Sequence, residues 1–397
     1  VSAGVENLGS AVPFVGEHKL AFAVGIVLAL AAMHLRGVRE SGLLSAIPTY
    51  AFVAGMLALI GWGMVRILVF GERLRADSAD LTVRPGQAAA GFALAFLLVR
   101  AFSSGSVALT GVETIANGVP AFRPPKSRNA ATTLLLLGLL SATMMVGTVA
   151  LARMTGLQYV EDPARQIANA PPGYVQQPVT AQLADVVFDN FRPAFYAVVL
   201  VTALILVLAA NTAFTGFPVL GAVLAQDRFL PRQLHTRGDR LAFSNGIMFL
   251  AVMAIVLIVA FEAEVSRLIQ LYIIGVFVSF TLSQSGMLRH WNRLLRTQRD
   301  PVQRRRMHRA RAINGFGAFL TGSVLLLVLA TKFIHGAWIS VAVMALIYHL
   351  MLGIRRHYDR VAAELAPHAE GPPVLPARNH AIVLVSKVHL PTLRAIA

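Results

Sequence analysis

The chain has 397 residues, 56% of them hydrophobic and only 14% charged, with a mean hydropathy of +0.66. A soluble domain carries nearer a quarter charged residues, so the composition excludes an ordinary soluble protein and indicates an integral membrane protein. Lysines and arginines number 35 against 19 acids, a net charge of +16, and the absence of cysteine excludes thiolate metal sites, disulfides and thiol catalysis.

Residues 1–14 are apolar, begin at Val1 rather than Met and lack the basic stretch of a signal peptide, so they read as the tail of a span begun upstream. With an equally abrupt stop at Ala397, the expectation is a piece of a longer protein at both ends. Apolar runs of membrane length follow at 16–35, 43–69, 87–119, 130–153, 193–217, 243–261, 267–288, 312–332 and 336–354, giving nine spans and part of a tenth. Short basic loops lie at 36–42, 122–129, 226–240 and 289–311, the last with nine arginines against Asp300 alone. Alternation of the spans puts all four loops on one side, together with Arg355, Arg356 and Arg360. That is the positive-inside pattern, and it predicts a cytoplasmic C-terminus and no nucleic-acid role for the Arg304-Arg-Arg306 run. The longest opposite loop, 154–192, carries Glu161, Asp162, Asp185 and Asp189. Within it, 180–191 has helical apolar spacing and is expected to lie along the interface. From Ala362 the chain is no longer membrane-like. His380-Ala-Ile-Val-Leu-Val-Ser386 and 390–396 read as the first strand and helix of a cytosolic α/β domain, which sets the expected domains at 1–361 and 362–397.

The span at 87–119 is unlike the others. Its second half, Ser103-Ser-Gly-Ser-Val-Ala-Leu-Thr-Gly-Val-Glu-Thr-Ile-Ala-Asn-Gly-Val-Pro120, interrupts the helix with Gly105, Gly111 and three serines, and places a carboxylate, Glu113, just past the interruption. A broken helix with an acid near mid-bilayer is costly unless it lines a cavity, and such acids mostly mark ion or proton pathways. Burial raises a carboxyl pKa, which suits a proton-coupling role. Thr110 lies one turn before Glu113. Its hydroxyl, with the carbonyls of an unwound segment, offers hard oxygen ligands for an alkali cation, or else bonds its own helix. Arg100, 13 positions before Glu113, either counters it or reaches to the interface. Polar faces at Asn211, Thr212 and Thr215 and at Ser279, Thr281, Ser283 and Gln284 match interhelical packing, and near the second only Tyr272 is a candidate site residue. No metal-ligand histidine pair, serine elbow, phosphate loop or dinucleotide fingerprint occurs, so an enzyme has little support.

Three segments carry a resemblance: Ala108-Leu-Thr-Gly-Val-Glu-Thr-Ile-Ala-Asn-Gly-Val-Pro-Ala-Phe-Arg-Pro-Pro-Lys-Ser-Arg-Asn-Ala130, Phe217-Pro-Val-Leu-Gly-Ala-Val-Leu-Ala-Gln-Asp-Arg-Phe-Leu-Pro231 and Leu271-Tyr-Ile-Ile-Gly-Val-Phe-Val-Ser-Phe-Thr-Leu-Ser-Gln284. With them the chain resembles the amino acid–polyamine–organocation superfamily of secondary transporters, and within it the KimA-type potassium uptake permeases. The resemblance implies an all-α polytopic membrane protein of the LeuT-type inverted-repeat fold, with about ten of twelve spans present and the interrupted span the sixth. It implies an ion site lined by Thr110, Glu113 and Tyr272 that holds potassium, with Glu113 coupling protons, and the transported K+ and H+ take the place of any cofactor. It further implies the bacterial inner membrane, a homodimer of the full-length protein and cyclic di-AMP control through the cytosolic domain. The family's first span, with the other acid and tyrosine of the site, has no counterpart in this sequence, so transport by this stretch alone is not expected. A proton-coupled amino acid permease on the same fold is the alternative, and a non-transporting sensor anchored by its membrane part is a third reading.

Overall fold

The computed structural model describes residues 1–37, 42–84, 91–105, 111, 115, 118–119, 122–160, 163–171, 173–235, 243–332 and 337–366. Thirteen α-helices are formed within them: α1 (Ser2–Gly9), α2 (Pro13–Glu17), α3 (Lys19–Leu35), α4 (Gly42–Leu68), α5 (Phe92–Gly105), α6 (Lys126–Met154), α7 (Pro163–Gln166), α8 (Val179–Val187), α9 (Arg192–Gln226), α10 (Ser244–Ala260), α11 (Val265–Thr297), α12 (Pro301–Lys332) and α13 (Ala337–Glu364). The described residues include no β-strand, only an isolated bridge between Val83 and Ile167. Six helices, α4, α6, α9, α11, α12 and α13, are long and apolar enough to cross a membrane, and α3 and α10 are shorter apolar helices. Each of the nine expected spans contains a helix. The expected cytosolic strand and helix at 380–396 lie outside the described residues.

The burial pattern is that of a protein solvated by lipid. α6 buries little more than Ala130 and Leu151, while Leu135, Leu139 and Val146 point outward at 65–73% exposure. An apolar exterior of that extent is unstable against water and is at home in a bilayer.

Packing is centred on α9, whose two sides belong to two different cores. On one side Val5 of α1, Val27 and Ala31 of α3, and Ile247 and Ala251 of α10 meet Phe214. On the other, Met56 and Leu59 of α4, Leu151 of α6 and Leu183 and Val187 of α8 meet Val198 and Val199. Asn7, 2% exposed, fastens α1 to this core by donating its amide to the Val199 carbonyl at 2.9 Å and accepting from the Thr180 hydroxyl at 3.3 Å. A third core joins α11 to α12 through Ile273, Ile274, Phe277, Val324 and Val328, and α5 and α13 pack against this pair.

Two polar assemblies close the ends. At the end opposite the basic loops, α8 is buried nearly all round, through Ala181, Gln182, Leu183, Ala184, Val186 and Val187. This corrects the expectation of an interfacial helix: its neighbours α4, α6 and α9 cover the polar side as well, which an amphipathic surface helix leaves wet. Arg66, 6% exposed at the end of α4, donates to the carbonyl of Val187 at 2.8 Å and to the carboxylates of Asp189 at 2.7 Å and Glu72 at 2.7 Å. The guanidinium thus caps the carbonyl end of α8. At the basic end, Arg228 bonds Asp359 at 2.9 Å, while Arg232 lies 5.0 Å over the Tyr358 ring and Arg355 4.6 Å over Phe229. These contacts tie the turn after α9 to the end of α13.

Candidate functional site

α5 is helical to Gly105, and Gly111 then takes φ +97°. A regular α-helix has no place for that conformation, and an L side chain seldom adopts it. The helix therefore does not run unbroken through the span, as the serine- and glycine-rich sequence predicts. Thr110 and Glu113 lie outside the described residues. Arg100 belongs to α5, and its relation to Glu113 lies outside them too.

Tyr272 is placed. It sits seven residues into α11, about 10 Å from the start of the helix. Together with Leu271, Gly275, Val276, Ser279 and Phe280 it lines a cleft of about 270 Å³. All six residues come from α11, at spacings of three, four and seven from Tyr272 or next to those positions, so the cleft is one helix face with no opposing wall among the described residues. Gly275, where a Cβ would meet nothing within 4 Å, leaves the floor open, and Tyr272 is 45% exposed. The face offers one phenol and one serine hydroxyl, enough to supply part of an oxygen shell for a cation and too few to hold one alone. α5 and α11 both pack on α12, so the broken helix and Tyr272 are two neighbours of one scaffold helix.

Thr281 and Gln284 of α11 have other partners. Thr281 donates to Phe277 O at 2.7 Å and contacts the Thr321 hydroxyl of α12 at 3.2 Å, and Gln284 accepts from Asn314 Nδ2 at 2.6 Å. They are interhelical fasteners. In the polar patch of α9, Thr212 bonds back to Ala209 O of its own helix at 2.6 Å, while Asn211 Oδ1 accepts from His34 Nε2 of α3 at 2.7 Å, with the His34 ring stacked 5.6 Å from Phe214. Sequence reasoning did not find the His34–Asn211 pair, because the partners are 177 positions apart and neither carries a local signal.

A second hollow of about 360 Å³ lies at the end opposite the basic loops, lined in part by Asp77, Ser78, Tyr174, Gln182 and Asp185. Three of its polar side chains already have partners: Ser78 donates to Gln182 Oε1 at 2.6 Å, Gln182 to Gln177 O at 2.8 Å, and Asp185 pairs with Arg192. Burial holds the Tyr174 phenol above its usual pKa, so it is neutral there. Among the described residues no group of histidines and carboxylates converges as a metal site would.

A model of the amino acid permease family matches residues 1–353. The potassium transporter KimA of Bacillus subtilis (strain 168) is 39% identical over 366 residues, which make up 92% of this chain and 55% of that protein. The chain thus spans about half the length of the curated relative it matches.

Proposed function

Because the chain belongs to the amino acid permease family, we propose that it is the membrane part of a secondary transporter that imports potassium together with protons across the bacterial inner membrane by alternating access. The observation that carries this reading is the 39% identity to a potassium transporter over 92% of the chain. The helix break at Gly111 and the oxygen-bearing face around Tyr272 agree with it. In this reading Thr110, Glu113 and Tyr272 contribute oxygens to the cation, and Glu113 gives up and regains the coupled proton. The inverted-repeat arrangement of the LeuT type belongs to the same proposal, with α5 the first half of the sixth span. The four basic loops face the cytoplasm. The tail that follows α13 opens a cytosolic domain, to which a dimer contact and cyclic di-AMP control would belong.

The test uses the full-length gene in a strain deficient in potassium uptake. The wild type restores growth at low potassium and takes up rubidium faster as external pH falls. Glu113→Gln reduces uptake to the level of the empty strain or removes its pH dependence, and unchanged uptake with an unchanged pH profile would refute the coupling role. Competition separates the runner-up: an amino acid permease is inhibited by amino acids and indifferent to rubidium.

A further inference from the structure

The hairpin of α11 and α12 is longer than a membrane requires. At 33 and 32 residues its arms reach about 50 Å, against about 30 Å of hydrocarbon. The surplus is at the basic end, where 289–311 carries nine arginines, each of them exposed. The single acid of that stretch, Asp300, is occupied as a helix cap: its carboxylate accepts from Val302 N at 3.0 Å. Among the described residues none of the nine arginines forms an ion pair. Arg228 and Arg355 at the same end do pair with a carboxylate.

This stretch is a rigid stalk. Trp291 Nε1 donates to Asn314 Oδ1 at 2.8 Å, Arg311 donates to Asn292 Oδ1 at 3.2 Å, and Leu295 is buried at 8% exposure. The two helices are therefore fastened to each other beyond the end of their apolar zones, and the arginines are held at fixed heights.

Those heights follow the lipid-facing strips. On α12 the outward residues Phe316 and Ile313, 67% and 62% exposed, are followed on the same face by Arg309 and then Arg305. On α11 the outward Leu282, 67% exposed, leads through Gly286 to Arg289, Arg293 and Arg296. The headgroup layer adds about 5–7 Å on each side of the hydrocarbon. At about 1.5 Å per residue, Arg289 and Arg309 fall within it and Arg293 at its edge, while Arg299, Arg304 and Arg305 stand beyond it. Side chains also tilt toward the helix N-terminus, so the arginines of α11 lean back toward the bilayer and those of α12 lean toward the tip.

We propose that Arg289, Arg293 and Arg309 form a collar that binds the phosphates of anionic phospholipid in the adjoining leaflet. The occupant is lipid because the apolar strip that touches acyl chains runs directly into the arginines on both helices. A soluble polyanion would instead meet the tip. Unpaired guanidiniums match phosphate oxygens two at a time, and basic clusters bordering a membrane span attract anionic headgroups. The inference depends on no particular transported ion.

The test is native mass spectrometry of the purified chain released from nanodiscs of phosphatidylcholine with one-fifth phosphatidylglycerol. The wild type retains phosphatidylglycerol several-fold above its bulk fraction. The collar variant R289Q/R293Q/R309Q lowers that enrichment about tenfold, whereas the tip variant R299Q/R304Q/R305Q, which removes the same charge, stays within about twofold of the wild type. Both variants keep six arginines in the stretch and change only exposed side chains, so an unchanged melting temperature certifies the fold. Equal loss in both variants, or none in the collar variant, overturns the proposal. So does displacement of the retained lipid by inorganic phosphate or a DNA duplex at equal charge, which would assign the site to a soluble anion.

Discussion

Arg66 is the most heavily bonded charged side chain at its end of the molecule, and its partners define what acid does there. The hydrogen bond from Arg66 holds the Asp189 carboxyl below its ordinary pKa of 3.8, with the backbone N–H of Asn190 adding to it. A carboxyl whose pKa is depressed on folding contributes stability that is fully present above the unfolded value and is lost as pH falls through it toward the folded one. Melting temperature in detergent is therefore expected to decline below about pH 5, and Asp189→Asn to weaken that decline. At neutral pH the same change costs about 1 kcal/mol, a modest figure because Asp189 is half exposed and Glu72 still covers the guanidinium. An equal pH slope in the variant would dismiss Asp189 as its source. None of this was legible in the sequence, where Arg66 marks only the end of a span: its partner lies 123 positions away. Tyr272 stands out in the sequence beside a run of small and polar residues, and it lines a cleft along that helix face; that it holds a cation belongs to the proposed function.

At the scale of the helix, hydropathy locates the membrane and not the helix. The run at 193–217 becomes a helix to Gln226 and the run at 312–332 one that begins at Pro301, because hydrogen bonding continues where apolarity ends. The runs at 43–69 and 243–261 match α4 and α10 to within one residue. Contacts between helices are read from small residues only once a partner is known. Gly147 of α6 is such a place: a Cβ there would stand 2.6 Å from Cγ2 and 3.1 Å from Cδ1 of Ile60 in α4. Gly147→Ala is expected to lower stability by about 1–3 kcal/mol by forcing the two helices apart, and Ile60→Ala in the same chain to recover part of the loss. Thermal unfolding of the single and double variants measures the coupling, and a single variant as stable as the parent contradicts the close approach. α8 teaches the converse lesson. Its sequence has the spacing of a surface helix, and burial by three neighbours is invisible to any count along one strand of residues.

Across the whole molecule, α9 is the wall shared by two cores, with one helix group around Phe214 and another around Val199, while α11 and α12 form a separate hairpin with its own core. The all-α membrane architecture is legible at this scale from apolar run lengths and basic loops, and the interruption from the serines and glycines of 103–111. Which helices touch is not, because the fastening residues act over separations such as the 192 positions between Asn7 and Val199. Those separations also impose an order in time. At about 5–20 residues per second, a ribosome reaches Asp189 some 6–25 s after Arg66 has been made. For that interval the end of α4 rests in the membrane boundary with a guanidinium whose distant partner does not yet exist. Glu72, six positions on and bonded to it at 2.7 Å, is available almost at once, and so serves as an interim counter-ion during biosynthesis. Glu72→Gln should then depress the yield of inserted chain in a pulse-chase experiment more than it depresses the melting temperature of the protein recovered. A normal yield with a lowered melting temperature would return Glu72 to a purely structural part.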